Sequence, residues 1–202
     1  ESINKYSTGN YLIADVDATP GAGNHVYEMR PDNTVVWAYT TEYTSQAQPY
    51  MINGIDSVIL FGAGYTGIKT INRSNQAVIW SWAGYSGFDY RIGSGDFRKI
   101  DGTNYLLFTF WAHPDAPVVL MNYDTQTIIA TTSIAETTGY GPLMARFLND
   151  STFVVADGYD HKISIYQTDL VNPGTLLWQS ADQNALTMTV WPFNNGRQAI
   201  VP

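Results

Sequence analysis

The sequence contains no cysteine in its 202 residues. A disulfide scaffold and any thiol chemistry are therefore excluded, and cysteine usage says nothing about compartment. Charge is scarce as well. Only 14% of residues are charged, and ten Lys and Arg stand against eighteen Asp and Glu, for a net charge of −8. A polyanion partner needs a clustered Lys/Arg surface, and these ten basic residues are scattered, so a nucleic-acid role is disfavoured. Adsorption to anionic lipid is disfavoured for the same reason. No apolar run approaches the roughly 18 residues of a membrane helix, so no membrane insertion is expected, and no signal peptide stands at the start. Sustained helical periodicity is missing throughout.

What remains is apolar and aromatic. Apolar residues make up 45% of the chain and aromatics 14%, which argues against disorder and supplies a proper core. The surface must be covered largely by Ser, Thr, Asn, Gln, Tyr and Gly. The length suits one large all-β domain or two small ones. The chain starts at Glu1 rather than Met, from which we expect that a leader or part of a longer parent chain was removed. With its low-charge, Tyr- and Thr-rich surface it is expected to be a mature extracellular protein. Two sequons, Asn72-Arg73-Ser74 and Asn149-Asp150-Ser151, are N-glycan acceptors in a eukaryotic secretory pathway.

The strongest signal is an internal repeat. Tyr11-Leu12-Ile13-Ala14-Asp15 resembles Val58-Ile59-Leu60-Phe61-Gly62, Tyr105-Leu106-Leu107-Phe108-Thr109, Phe153-Val154-Val155-Ala156-Asp157 and Gln198-Ala199-Ile200-Val201-Pro202. Their starts, 11, 58, 105, 153 and 198, are separated by 47, 47, 48 and 45 residues. Each copy follows a strand that leads into a polar turn (3–7, 49–53, 97–100, 144–148 and 187–193). The first four are followed by a third strand (26–29, 68–71, 118–121 and 163–166). A turn comes next, such as Pro31-Asp32-Asn33 or Asp124-Thr125-Gln126, and then an apolar strand. That last strand reads Val35-Val36-Trp37, Val78-Ile79-Trp80, Thr127-Ile128-Ile129 and Leu176-Leu177-Trp178.

Four short antiparallel strands at a period of about 40–50 residues predict an all-β fold of β-propeller blades. The units run over about 3–48, 49–96, 97–143 and 144–186, with a half blade at 187–202, in one propeller domain. Trp37, Trp80 and Trp178 are expected to wedge between neighbouring blades, with Ile129 at that place in the third. The C-terminal pair is expected to belong to a longer propeller, to pack irregularly in a closed one, or to complete a second copy of the chain through its unpaired edge. The segments GNYLIAD and NHVYEMRPDNTVVWAY resemble blades of the NHL and SMP-30-like propellers, and the Val-Val-Trp ending resembles quinoprotein-type repeats. The resemblance implies a propeller and, because those families differ widely in what they do, no particular activity.

Chemistry is expected on the face formed by the loops between second and third strands and by the blade-to-blade connections. All three histidines, His25, His113 and His161, fall in or beside those loops. His113 and His161 with Asp15, Asp17, Asp157 and Asp160 are candidate ligands for zinc or calcium, although no EF-hand pattern is present. Asp15 and Asp17 suit glycosidase work only with a partner carboxylate from another blade. No Gly-x-Ser-x-Gly elbow exists, and Gly93-Ser94-Gly95 is placed in a Gly-rich connection. The loops are rich in aromatics instead. Trp82, Tyr85, Phe88, Tyr90, Trp111 and Tyr140 are candidate ligand-binding residues, since aromatic faces stack on sugar rings while amide and hydroxyl neighbours bond their hydroxyls. The connection from Trp82 to Ser94 is the longest. Two classes of function follow. The first is a non-catalytic extracellular module that binds glycan or assembles with copies of itself. The second is a metal-dependent lyase or hydrolase at the channel mouth.

Overall fold

The computed structural model describes residues 2–6, 8–15, 24–84, 90–111, 117–133, 144–157, 162–168, 175–180, 189–192 and 198–201. Among them are strands and turns and no helix, hence no helix long and apolar enough to cross a membrane. The first sheet is β1 (Ser2–Lys5), β2 (Tyr11–Asp15), β3 (Asn24–Met29) and β4 (Val35–Thr41), in that order. The second is β5 (Gln46–Ile52), β6 (Ile55–Ala63), β7 (Gly67–Asn72) and β8 (Val78–Trp82). The third is β9 (Arg91–Ile100), β10 (Thr103–Trp111), β11 (Pro117–Asn122) and β12 (Thr127–Ser133), and the fourth is β13 (Met144–Phe147), β14 (Thr152–Asp157), β15 (Lys162–Gln167) and β16 (Leu176–Gln179). A two-stranded sheet, β17 (Thr189–Pro192) with β18 (Gln198–Val201), follows.

The repeat positions are the second strands, and their burial explains why they repeat. Val58, Ile59, Leu60 and Phe61 are all fully buried, as are Leu106 and Phe108. A strand covered on both faces carries a continuous apolar run rather than an alternating one. The turns follow from backbone preference. Asn53-Gly54 and Asp101-Gly102 each hold two successive positive φ values (50° and 81°, 48° and 84°) in two-residue hairpin loops, which suits their residue types. In the turns before the outer strands, Asn33, Gln76 and Gln126 take the left-handed conformation.

The chain forms two compact units, Glu1–Ile92 and Gly93–Pro202. In the first, Leu12, Ala14, Val26, Ala47, Val58, Leu60 and Ile71 form one buried cluster between its two sheets. In the second, Ile100, Leu107, Leu120, Phe147, Phe153 and Tyr166 do so, with the Phe153 and Tyr166 rings stacked 5.3 Å apart. Innermost strands of neighbouring sheets are joined by side chains bonding to backbone. Ala47 N donates to Ser2 Oγ at 3.2 Å, and Asn4 Nδ2 donates to Ala47 O at 2.6 Å. Likewise Ala145 N donates to Ser94 Oγ at 3.1 Å, and Phe147 N donates to Asp96 Oδ2 at 2.9 Å. The placing of Gly93-Ser94-Gly95 in a connection is thereby corrected. The strand β9 starts at Arg91, and small residues there let the β13 backbone approach closely.

A further correction concerns the outer strands. Between the third and outer strands of all four sheets the register slips once, after Glu28, Thr70, Leu120 and Ile165. The extra residue of each bulge is Val36, Ile79, Ile129 and Leu177, each exposed. Ile129 therefore belongs with these, and Ala130, opposite Leu120, takes the tryptophan's place in the third sheet. Bulges twist an edge strand and blunt its pairing with other chains. Trp37 does wedge between sheets. Its Nε1 donates to Arg73 O at 2.9 Å, and its ring packs against the first unit's core. Trp178, by contrast, is 50% exposed. Replacing Trp37 by Ala is expected to cost about 2–3 kcal/mol and Trp178→Ala no more than about 0.5 kcal/mol, measured by urea denaturation.

Candidate functional site

The clearest built site lies at the end of the second sheet where β6 turns into β7. There the segment Gly62-Ala63-Gly64-Tyr65-Thr66-Gly67 makes a bulge and a tight turn. Gly62 is obligatory, with φ of 74° and a Cβ position that would lie 2.6 Å from Ser45 Oγ and 3.0 Å from Ile92 O. Tyr65 also has positive φ, 77°, which a bulky side chain rarely adopts. The strain is held in place from two sides. Gly64 N donates to Tyr43 O and Ile92 N to Tyr65 O, both at 2.9 Å. Ser45 Oγ lies 2.9 Å from Phe61 O and 2.8 Å from Ile92 O, sharing one hydroxyl proton between them.

The reward for that strain is a ring held outward. Tyr65 stacks on Tyr43 with centroids 4.3 Å apart and planes 18° apart, yet remains 45% exposed. The Arg91 guanidinium is 4.7 Å from the Tyr65 centroid and 5.9 Å from that of Tyr43. It sits beside the pair, since a position beyond Tyr65 would put it farther from Tyr43. Lys69 and Glu42 form an ion pair at 3.1 Å close by, with Glu42 Oε2 against Gly64. An exposed, fixed aromatic pair beside a cation offers flat apolar faces and donors together.

No family model matches the sequence, and no curated protein matches it. Solved structures do. A protein of unknown function from Bacteroides caccae superposes with a TM-score of 0.63 at 14% identity, over 98% of this chain and 68% of its own. The β-propeller domain of Cps50 (Swd1) from Myceliophteria thermophila superposes with a TM-score of 0.60 at 12% identity, over 89% of this chain and 57% of its own. The chain is a β-propeller. The four sheets are its blades, and at these identities the likeness speaks for fold alone.

Of the residues expected to bind ligand, Trp82 ends β8 and Tyr90 directly precedes β9, both half-buried and at the same end of the second blade as Tyr65. Tyr85, Phe88, Tyr140, His113, His161, Asp160 and Asp17 lie outside the described residues. Asp15, Asp157 and Trp111 end the second strands β2, β14 and β10, with only their backbone described. Among the described residues, no three His, Asp or Glu side chains come together as metal ligands. Tyr65 and Arg91 were not among the expected residues. The signal for Tyr65 is three glycines around one tyrosine in a loop between second and third strands.

A second polar cluster occupies the hairpin-turn end of the first two blades. Buried Glu28 on β3 pairs with Arg73, which also donates through Nη1 to Asp56 Oδ2 at 3.0 Å. Asn10 Nδ2 donates to the other Glu28 oxygen, and the Arg73 guanidinium stands 5.7 Å from the Tyr6 centroid. Burial pushes the Tyr6 phenol well above the ordinary tyrosine range, an effect the Arg73 charge only partly offsets. A pKa raised on folding stabilises below the unfolded value and is lost as pH rises beyond it.

Two outcomes follow. Tyr65→Gly is expected to leave the denaturation midpoint unchanged or higher, because glycine accepts positive φ, whereas Tyr65→Val is expected to cost about 1–2 kcal/mol. Above about pH 10 the wild type is expected to lose thermal stability more steeply than Tyr6→Phe, read from melting curves across pH.

Proposed function

We propose that this protein is a non-catalytic, secreted propeller module that binds a glycan at the loop end of its second blade. The observation that carries the reading is Tyr65, an exposed ring held in a costly backbone conformation by bonds from both neighbouring segments. Strain of this kind persists at ligand clamps, where the surrounding structure over-determines it. Sugar rings present C–H faces that stack on aromatics, and their hydroxyls need the donors and acceptors that Arg91, Glu42 and Thr66 bring to this end. Trp82 and Tyr90 extend the aromatic character of the same end. The blades themselves resemble those of NHL and SMP-30-like propellers in the segments Gly9–Asp15 and Asn24–Tyr39, and quinoprotein-type repeats in the ending Val35-Val36-Trp37, and we read them as of that type.

The test is glycan-array screening of the full chain, followed by titration of the best hit against Tyr65→Gly. Binding is expected to weaken about fivefold to tenfold without loss of thermal stability and without turnover of the glycan. Absence of any glycan hit, or equal binding by Tyr65→Gly, would contradict the reading.

A further inference from the structure

The hairpin-turn end of the first two blades holds a cleft of about 700 Å3 whose lining includes Lys5, Tyr6, Glu28, Arg30, Asp56 and Arg73. That volume falls in the range of small-molecule sites, about 300–1,000 Å3. Its charge runs against that of the chain. Three of the ten basic residues line it but only two of the eighteen acidic ones, in a chain of net charge −8. Both acidic residues, Glu28 and Asp56, are taken up by Arg73, and Glu28 also accepts from Asn10.

Donors are left over. Among the described residues, Tyr6 Oη and Arg73 Nε are shielded from water and have no hydrogen-bond partner. Arg73 Nε can only donate, and Tyr6, its ionisation suppressed by burial, keeps its proton at every physiological pH. Buried donors without acceptors are rare in proteins and call for an acceptor from elsewhere. Lys5 and Arg30 add positive charge to the lining, while Val36, Pro49 and Met51 give it apolar walls.

We propose that this cleft is a binding site for a small carboxylate ligand, which pairs with Lys5 and Arg30 at the cleft surface and draws Tyr6 Oη and Arg73 Nε out of the packing by a side-chain turn, so that they donate to its oxygens. A planar carboxylate brings acceptors and no donors, which matches the imbalance, and its bonds to charged donors are the strong kind. A sugar acid or an amino-acid side chain supplies the same group, the first with ring C–H faces and the second with methylenes to set against the walls. The site lies at the opposite end of the strands from Tyr65, so it stands independently of glycan binding there.

The test titrates the full chain, calorimetrically, with glucuronate, with N-acetylglutamate amide and with glucose as the uncharged control. At least one carboxylate is expected to bind with a dissociation constant below about 10 mM, weakening with added salt, while glucose shows no heat. The stronger of the two carboxylates identifies the source. Tyr6→Phe is expected to weaken binding about fivefold while leaving the unliganded melting temperature equal or higher, because it removes an unpartnered hydroxyl. Arg30→Gln is expected to weaken binding about threefold with no change in melting temperature, and Tyr65→Gly to leave carboxylate binding unchanged. The proposal is overturned by no carboxylate binding up to about 10 mM, by glucose binding equally, or by Tyr6→Phe binding as the wild type does.

Discussion

The architecture depends on a hydrogen bond that crosses from one blade to the next. Backbone ladders end at each blade's inner strand, so the inner edges must find partners elsewhere. They find them in short polar side chains: Ser2 and Asn4 toward Ala47, Ser45 toward Ile92, Ser94 toward Ala145 and Asp96 toward Phe147. A buried backbone group left without a partner costs about 1–3 kcal/mol, so each such side chain supports more than its own bond. These residues also set the spacing. A larger side chain would hold adjacent blades apart, which is why the inner strand β9 reads Gly93-Ser94-Gly95-Asp96.

The outer strands meet the opposite problem. Their far edges face no further strand of their own sheet, and every blade answers with a bulge at the same position of its outer hairpin. The bulge pushes Val36, Ile79, Ile129 and Leu177 outward, and in the first three blades the following residue, Trp37, Trp80 or Ala130, is half-buried. Where that residue is Trp37, its indole nitrogen reaches the Arg73 carbonyl of the next blade and closes the gap from outside. Inner polar bonds and an outer wedge thus hold the same pair of blades at two radii. Between them lies the buried apolar cluster of the first unit.

The second strands were legible in the sequence because burial on both faces forces a continuous apolar run, and the reading of Tyr11–Asp15 matches β2 residue for residue. The inner strands were legible only in part, since 49–53 and 97–100 catch the ends of β5 and β9 and miss their starts. Gln46 and Gln48 in β5 and Ser94 and Asp96 in β9 read as loop residues, since their burial is compensated by bonds that only the folded chain makes. The outer-strand bulge was hidden for a similar reason. Ile129 and Trp37 occupy the same count in the repeat, but the register slip moves Ile129 into the bulge and Ala130 into the tryptophan's place. At the candidate site, Trp82 and Tyr90 stood out as aromatics in a connection. Tyr65, Tyr43 and Arg91 come together only in the folded chain, from three segments separated by more than twenty residues each. The carboxylate cleft likewise draws on β1, β3, β6 and the turn after β7, and no motif announces it.

Ser45 is where scaffold and site meet, because its one hydroxyl ties Phe61 and Ile92 together beneath the strained Tyr65 turn. Amide hydrogen exchange in Ser45→Ala tests that dependence most directly. Protection of the Gly64 and Ile92 amides is predicted to fall at least about tenfold, while the Ala145 and Phe147 amides, held by Ser94 and Asp96, exchange as in the wild type. Unchanged protection at Gly64 and Ile92 would contradict the account.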